Sequence, residues 1–244
     1  AIAGGLLVSG VAASAVGAGV AVVVAAVLIL AMALDGTRLF ARDVPVDAVL
    51  APAERARLPR AGIWAFGFVI LAVFVVDSSV STWSSLYLTG LATIAWVAPL
   101  GYVVYQVFIL LTRLATDRLL PLVGRARLVA IAVVVSVVGC VVVALVPLAV
   151  AAFVGFALAG VAVGVVVPVT FGAAGELSPA HSDQIIARIN IFNYVGVIFG
   201  AVALGLLADG PGLGLAFLIP AVTLAAVLFL LRWFRTRPGA ASGA

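Results

Sequence analysis

The chain has 244 residues, 66% of them hydrophobic and only 9% charged, and its formal net charge of +4 is carried by arginine without a single lysine. Soluble domains carry roughly 25% charged residues, so this composition excludes an ordinary water-soluble fold and points to a chain solvated by lipid. The long runs are apolar all round and do not alternate over about ten residues, which excludes a transmembrane barrel and leaves helices, whose backbone groups are satisfied within each segment.

A helix needs about 20 apolar residues to cross roughly 30 Å of hydrocarbon. In chain order, crossings are predicted at 1–17, 19–34, 61–83, 91–112, 128–147, 149–173, 185–208 and 211–231. The first two come from one unbroken run, divided at Gly17 to Gly19. Between them and the rest lies DGTRLFARDVPVDAVLAPAERARLPR, residues 35–60, whose charges and Pro45, Pro52 and Pro59 read as a cytoplasmic linker. Residues 61–232 then form a six-helix bundle, and 233–244 a cytoplasmic tail. The fold class is all-α, a polytopic membrane helix bundle. The opening AIAGG has neither an initiator methionine nor a charged leader, so a fragment lacking upstream helices is expected.

With eight crossings every arginine falls on one face: Arg38, Arg42, Arg55, Arg57 and Arg60, then Arg113, Arg118, Arg125 and Arg127, then Arg188, then Arg232, Arg235 and Arg237. That face is cytoplasmic by the positive-inside rule, so a multi-pass membrane protein is expected. The partner expected from composition and charge is the bilayer, with no nucleic acid. Cys140 is the lone cysteine and His181 the lone histidine, so no metal cluster is expected; no cofactor is expected either, since no Gly-Lys-Ser/Thr phosphate loop occurs. The spans hold no paired acids and no nucleophile with a base, so an enzyme is not expected.

The third segment ends in VVDSSVSTWSSLYL, residues 75–88, where an otherwise apolar run carries an acid and a series of hydroxyls. If the helix enters the membrane near Ala61, sixteen residues raise it roughly 24 Å, so Asp77 is expected within the hydrocarbon. A carboxylate at mid-membrane costs about 2.5 to 3.5 kcal/mol on insertion scales and is a functional candidate by default. Ser81, Ser84 and Ser85 are predicted on or near its face. Withdrawal from water disfavours the charged form, which suits the acid to exchanging a proton. The competing reading puts Asp77 at the outer interface, capping a turn with Trp83 and Tyr87 as belt aromatics.

Further along, Tyr102 and Gln106 share a helix face with Tyr105 adjacent, and Asn190, Asn193 and Tyr194 follow the same spacing. These groups suit hydrogen bonding to a polar solute or, equally, helix joining. Gly160 and Gly164, and Gly196 and Gly200, have the small-xxx-small spacing of close helix contacts, and Pro168 permits a bend.

The stretch LGYVVYQVFILLTRLATDRLLPLVGRAR, residues 100–127, resembles the cytoplasmic signature of the major facilitator superfamily between its eighth and ninth helices. Asp117 and Arg118, then Gly124 and Arg125, carry the resemblance, with Arg113 four residues before the acid. Together with DSSVSTWSSLYL and GFALAGVAVGVVVPVTFGAAGE at 155–176, it looks most like the sugar-permease-like bacterial branch. The resemblance implies that 61–232 is a C-terminal half and 1–34 the last two helices of the N-terminal half, so the missing partners are further helices of the same protein. It also implies a secondary transporter of a bacterial inner membrane, moving a small polar solute by alternating access with proton symport as one form, and a conformational latch at Arg113, Asp117, Arg118, Gly124 and Arg125. Where that branch often has Glu this chain has Asp77, and where it often has Asp this chain has Thr82. The rival reading is a non-transporting sensor or assembly scaffold.

Overall fold

A computed structural model describes residues 58–91, 95–208, 210 and 212–234. The two predicted crossings before residue 35, the arginines up to Arg57, and Arg235 and Arg237 lie outside the described residues. The described chain is helical: α1 is Arg60–Leu91, α2 Leu100–Val123, α3 Arg125–Leu145, α4 Ala149–Gly175 and α5 Ser182–Ala208. A sixth helical stretch, α6, runs over Leu213–Phe234 and ends as a 3-10 helix from Ala226.

Five of these, all but α2, are long and apolar enough to span a membrane by length and composition. At 24 residues α2 is about 36 Å long, enough to cross, but it carries Gln106, Arg113, Asp117 and Arg118. Its start also differs from the expectation by nine residues. Pro99 immediately precedes it, a position at a helix start where proline's missing N–H costs nothing.

By contrast α1 runs past the predicted end at residue 83 to Leu91. Its hydroxyls do not break it, because Ser79 Oγ donates to the Val75 carbonyl at 2.6 Å and Thr89 Oγ1 to that of Ser85 at 2.8 Å. At 32 residues α1 is about 48 Å long, and Asp77 sits near its middle.

Helix ends show that helices successive in the chain alternate in direction. At one end Gly62 faces Leu177, Phe66 lies 5.2 Å from Phe234, and Arg125 meets Glu176. At the other, the Tyr87, Phe156 and Phe217 rings cluster at 5.6 to 6.4 Å, and Tyr87 Oη donates to the Val143 carbonyl at 2.8 Å. Between α2 and α3, Gly124 adopts φ 81° and ψ 151°, a conformation open to glycine and strained for other residues.

Two parallel pairs set the bundle. Against α1, α5 places Phe192 at Gly67, Gly196 at Leu71 and Gly200 at Val75, one turn at a time. Against α2, α4 places Phe156 at Gly101, Gly160 at Tyr105 and Gly164 at Ile109 in the same four-residue steps. A methyl group at Gly196 or Gly200 would fall 2.5 Å from a carbonyl oxygen of α1, so only glycine admits this approach. The α3 and α4 helices form an antiparallel hairpin in which Gly139 and Gly155 face each other. There Ser136 Oγ donates to Leu158 O at 2.8 Å and accepts from the Ala162 N–H at 2.8 Å. One hydroxyl from α3 thereby bonds both a carbonyl and an N–H a turn apart on α4, which stays helical throughout Ala149–Gly175.

Candidate functional site

Asp77 is half-buried on α1, and its Oδ1 accepts a 2.8 Å hydrogen bond from Tyr105 Oη of α2. Tyr105 is fully buried. Its ring stacks on Tyr102 with centroids 6.1 Å apart and planes 28° from parallel, and Gln106 Nε2 donates to Tyr102 Oη at 2.9 Å. One turn of α2 therefore presents two phenols and an amide beside one carboxylate from α1. The spacing of Tyr102 and Gln106 anticipated their shared face, while the inward turn of Tyr105 toward Asp77 depends on which helix lies alongside.

The predicted serine stripe does not join this group. Ser81 is exposed, with its Oγ 3.2 Å from the Ser78 carbonyl; Ser85 is half-buried; Ser84 is buried and its Oγ has no hydrogen-bond partner among the described residues. The aromatics of the competing interface reading also point into the bundle: Trp83 Nε1 donates to the Ala201 carbonyl at 3.0 Å, and Tyr87 is 8% exposed.

Nor does α5 bring its polar set to Asp77. Asn193 Nδ2 lies 3.3 Å from Asn190 Oδ1, and Tyr194 is exposed. In the α1–α5 register these residues stand level with Ala65 to Val69, roughly 12 to 18 Å along the axis from Asp77. They form a second polar patch nearer the arginine-bearing end.

At that end Arg125 and Glu176 make a two-pronged ion pair at 2.5 Å, closing the α3–α4 hairpin. The Arg125 guanidinium holds the Glu176 carboxyl below its ordinary range of about 4.5. Arg113, Asp117 and Arg118 are exposed and form no ion pair among the described residues, so only Arg125 of the predicted latch has a charged partner. That partner, Glu176, closes the 155–176 stretch and was not among the residues expected in the latch. A cavity of about 360 Å³ opens beside Arg125, lined by Leu120, Pro121, Gly124 and Phe234.

The sequence profile of the Major Facilitator Superfamily matches residues 89–244. The chain belongs to this superfamily. Among curated relatives, an uncharacterized MFS-type transporter of Yersinia pestis is 30% identical over 160 residues, covering 65% of this chain and 42% of the relative. Membrane protein MosC of Rhizobium meliloti is 27% identical over 154 residues, or 63% and 38%, and an uncharacterized transporter of Sinorhizobium fredii is 31% identical over 177 residues, or 71% and 46%. Each match covers less than half of the relative's length. No solved structure matches the chain significantly. As a major facilitator superfamily member with several membrane-length helices, the chain is a multi-pass membrane protein.

Proposed function

We propose that this chain forms part of a secondary transporter of a bacterial inner membrane, moving a small polar solute by alternating access, with Asp77 as its proton or solute site. The observation that carries this reading is the Asp77–Tyr105 hydrogen bond at the middle of a membrane-length helix, with Tyr102 and Gln106 alongside. An acid so placed is costly unless it has work to do, and one carboxylate with neighbouring phenols suits proton exchange or capture of a hydroxylated solute. The gathering of the described arginines toward one end supports a cytoplasmic face there. Within the chain, Arg125 with Glu176 is the part of the latch that would part and re-form as the bundle rocks.

The experiment is accumulation of labelled monosaccharides and amino acids by the full-length protein in vesicles under an imposed proton gradient. Asp77→Asn is expected to abolish gradient-driven accumulation while leaving insertion and folding intact. Undiminished accumulation removes Asp77 from the mechanism. Absence of any flux in the unaltered protein favours the sensor or scaffold reading.

A further inference from the structure

Asp77 and Tyr105 stand on different close-packed pairs. The Tyr105 carbonyl lies beneath Gly160, where a methyl group would fall 2.7 Å away, so its backbone is seated on α4. The backbone around Asp77 is seated on α5, through Gly200 against Val75 and through Ser78 Oγ donating to Val197 O at 2.6 Å. Among the described residues, Tyr105 to Asp77 is the one side-chain hydrogen bond joining the α1–α5 pair to the α2–α4 pair. It uses Oδ1, and Oδ2 accepts no hydrogen bond from the described residues.

We infer that Tyr105 is a positioning residue: its phenol ties down Oδ1, fixing the Asp77 carboxyl so that Oδ2 is the atom offered to a proton or to a donor group of the solute. This rests on the reading of Asp77 as a proton or solute site. The ring has little freedom, being fully buried and stacked on a Tyr102 that Gln106 holds. While Asp77 is ionised the bond is charge-assisted; once Oδ2 takes a proton it becomes a neutral bond, roughly half as strong. Loading the site therefore loosens the joint between the two pairs. The other titratable groups facing it are few: Tyr102 on α2, and the buried Cys140 thiol of α3 close to Tyr105. The α4 segment Ala149–Gly175 has no charged residue, and in register Arg188 of α5 stands level with Ile63, far from Asp77.

The test is pH-difference infrared spectroscopy of the full-length protein in lipid, with the proton itself as the probe. The Asp77 carboxyl band is identified by its loss in Asp77→Asn. Tyr105→Phe is expected to shift the frequency of that band and to change the proton affinity of Asp77 about tenfold, one pH unit. Tyr87→Phe, which removes a phenol roughly 15 Å along α1 from Asp77 and keeps the Tyr105 bond, is expected to leave the band in place. A Tyr105→Phe band identical to the wild type in frequency and midpoint overturns the inference and leaves the proton reading standing. No Asp77 band in the wild type at any pH overturns the proton reading, and this inference with it. Should Tyr105→Phe fail to fold, ring-labelled tyrosine in the wild type decides instead: a phenol band must change together with the Asp77 carboxyl, and an invariant one refutes the positioning role.

Discussion

The α1–α5 and α2–α4 pairs are built on one plan with different fastenings. In both, two glycines a turn apart let a helix settle onto its neighbour's carbonyls, at Leu71 and Val75 in one pair and at Tyr105 and Ile109 in the other. Only the first adds hydrogen bonds across the seam, from Ser78 to Val197 and from Trp83 to Ala201. These bracket Gly200, so α5 cannot withdraw there without stretching both. Among the described residues no side-chain hydrogen bond joins α2 to α4, and much of α2 is exposed on its other face. Glycine contact sets the distance between two helices, and it is the added polar bonds that decide how firmly they keep it.

The comparison is tested most strongly at the glycines. Gly200→Ala is expected to cost about 1 to 3 kcal/mol in lipid-embedded stability, toward the upper end, because the bracketing bonds prevent relief. Gly160→Ala should cost less, since α2 can shift outward. Equal costs in unfolding measurements on the two variants would break the distinction. The bonds themselves come next: Ser78→Ala and Trp83→Phe should each lose about 0.6 kcal/mol, the usual worth of an interhelical bond in a membrane. A loss too small to measure at both sites would leave the two pairs fastened alike.

The smallest effect belongs to the exposed ion pair that closes α3 onto α4. Glu176→Gln should cost no more than about 1 kcal/mol near neutral pH. Because Arg125 lowers the folded-state carboxyl value, the contribution is complete above the unfolded value of about 4.5 and disappears as pH falls through the folded one. Thermal unfolding of wild type and variant should differ near neutral pH and converge once the pH has fallen below the lowered Glu176 value. A gap that persists in acid would show that the pair contributes through packing and not through charge.

Hydropathy made five of the described spans legible, because length and apolarity are local properties. The same criterion is weakest for α2, whose Gln106, Arg113, Asp117 and Arg118 lower its apolarity. Asp77 was visible as an acid too deep in an apolar run to be incidental. Its partner was not, since pairing with Tyr105 depends on helix rotation and adjacency, which spacing along one chain does not encode. Ser136 gave no signal at all: one hydroxyl in an apolar run looks like any small core residue, and only the position of α4 reveals its place between Leu158 and Ala162. Glu176 had a local clue, as an acid just past the end of α4 in a hairpin whose other arm, α3, begins with Arg125 and Arg127.

The Ser78 and Trp83 bonds also bear on the order of assembly. They join residues 119 and 118 positions apart, so α1 leaves the ribosome well before its partner exists. At synthesis rates of about 5 to 20 residues per second, that wait is roughly 6 to 24 seconds. During it a serine and an indole lack their final acceptors, and an early helix must dwell in lipid as an unfinished surface until a late one seals it.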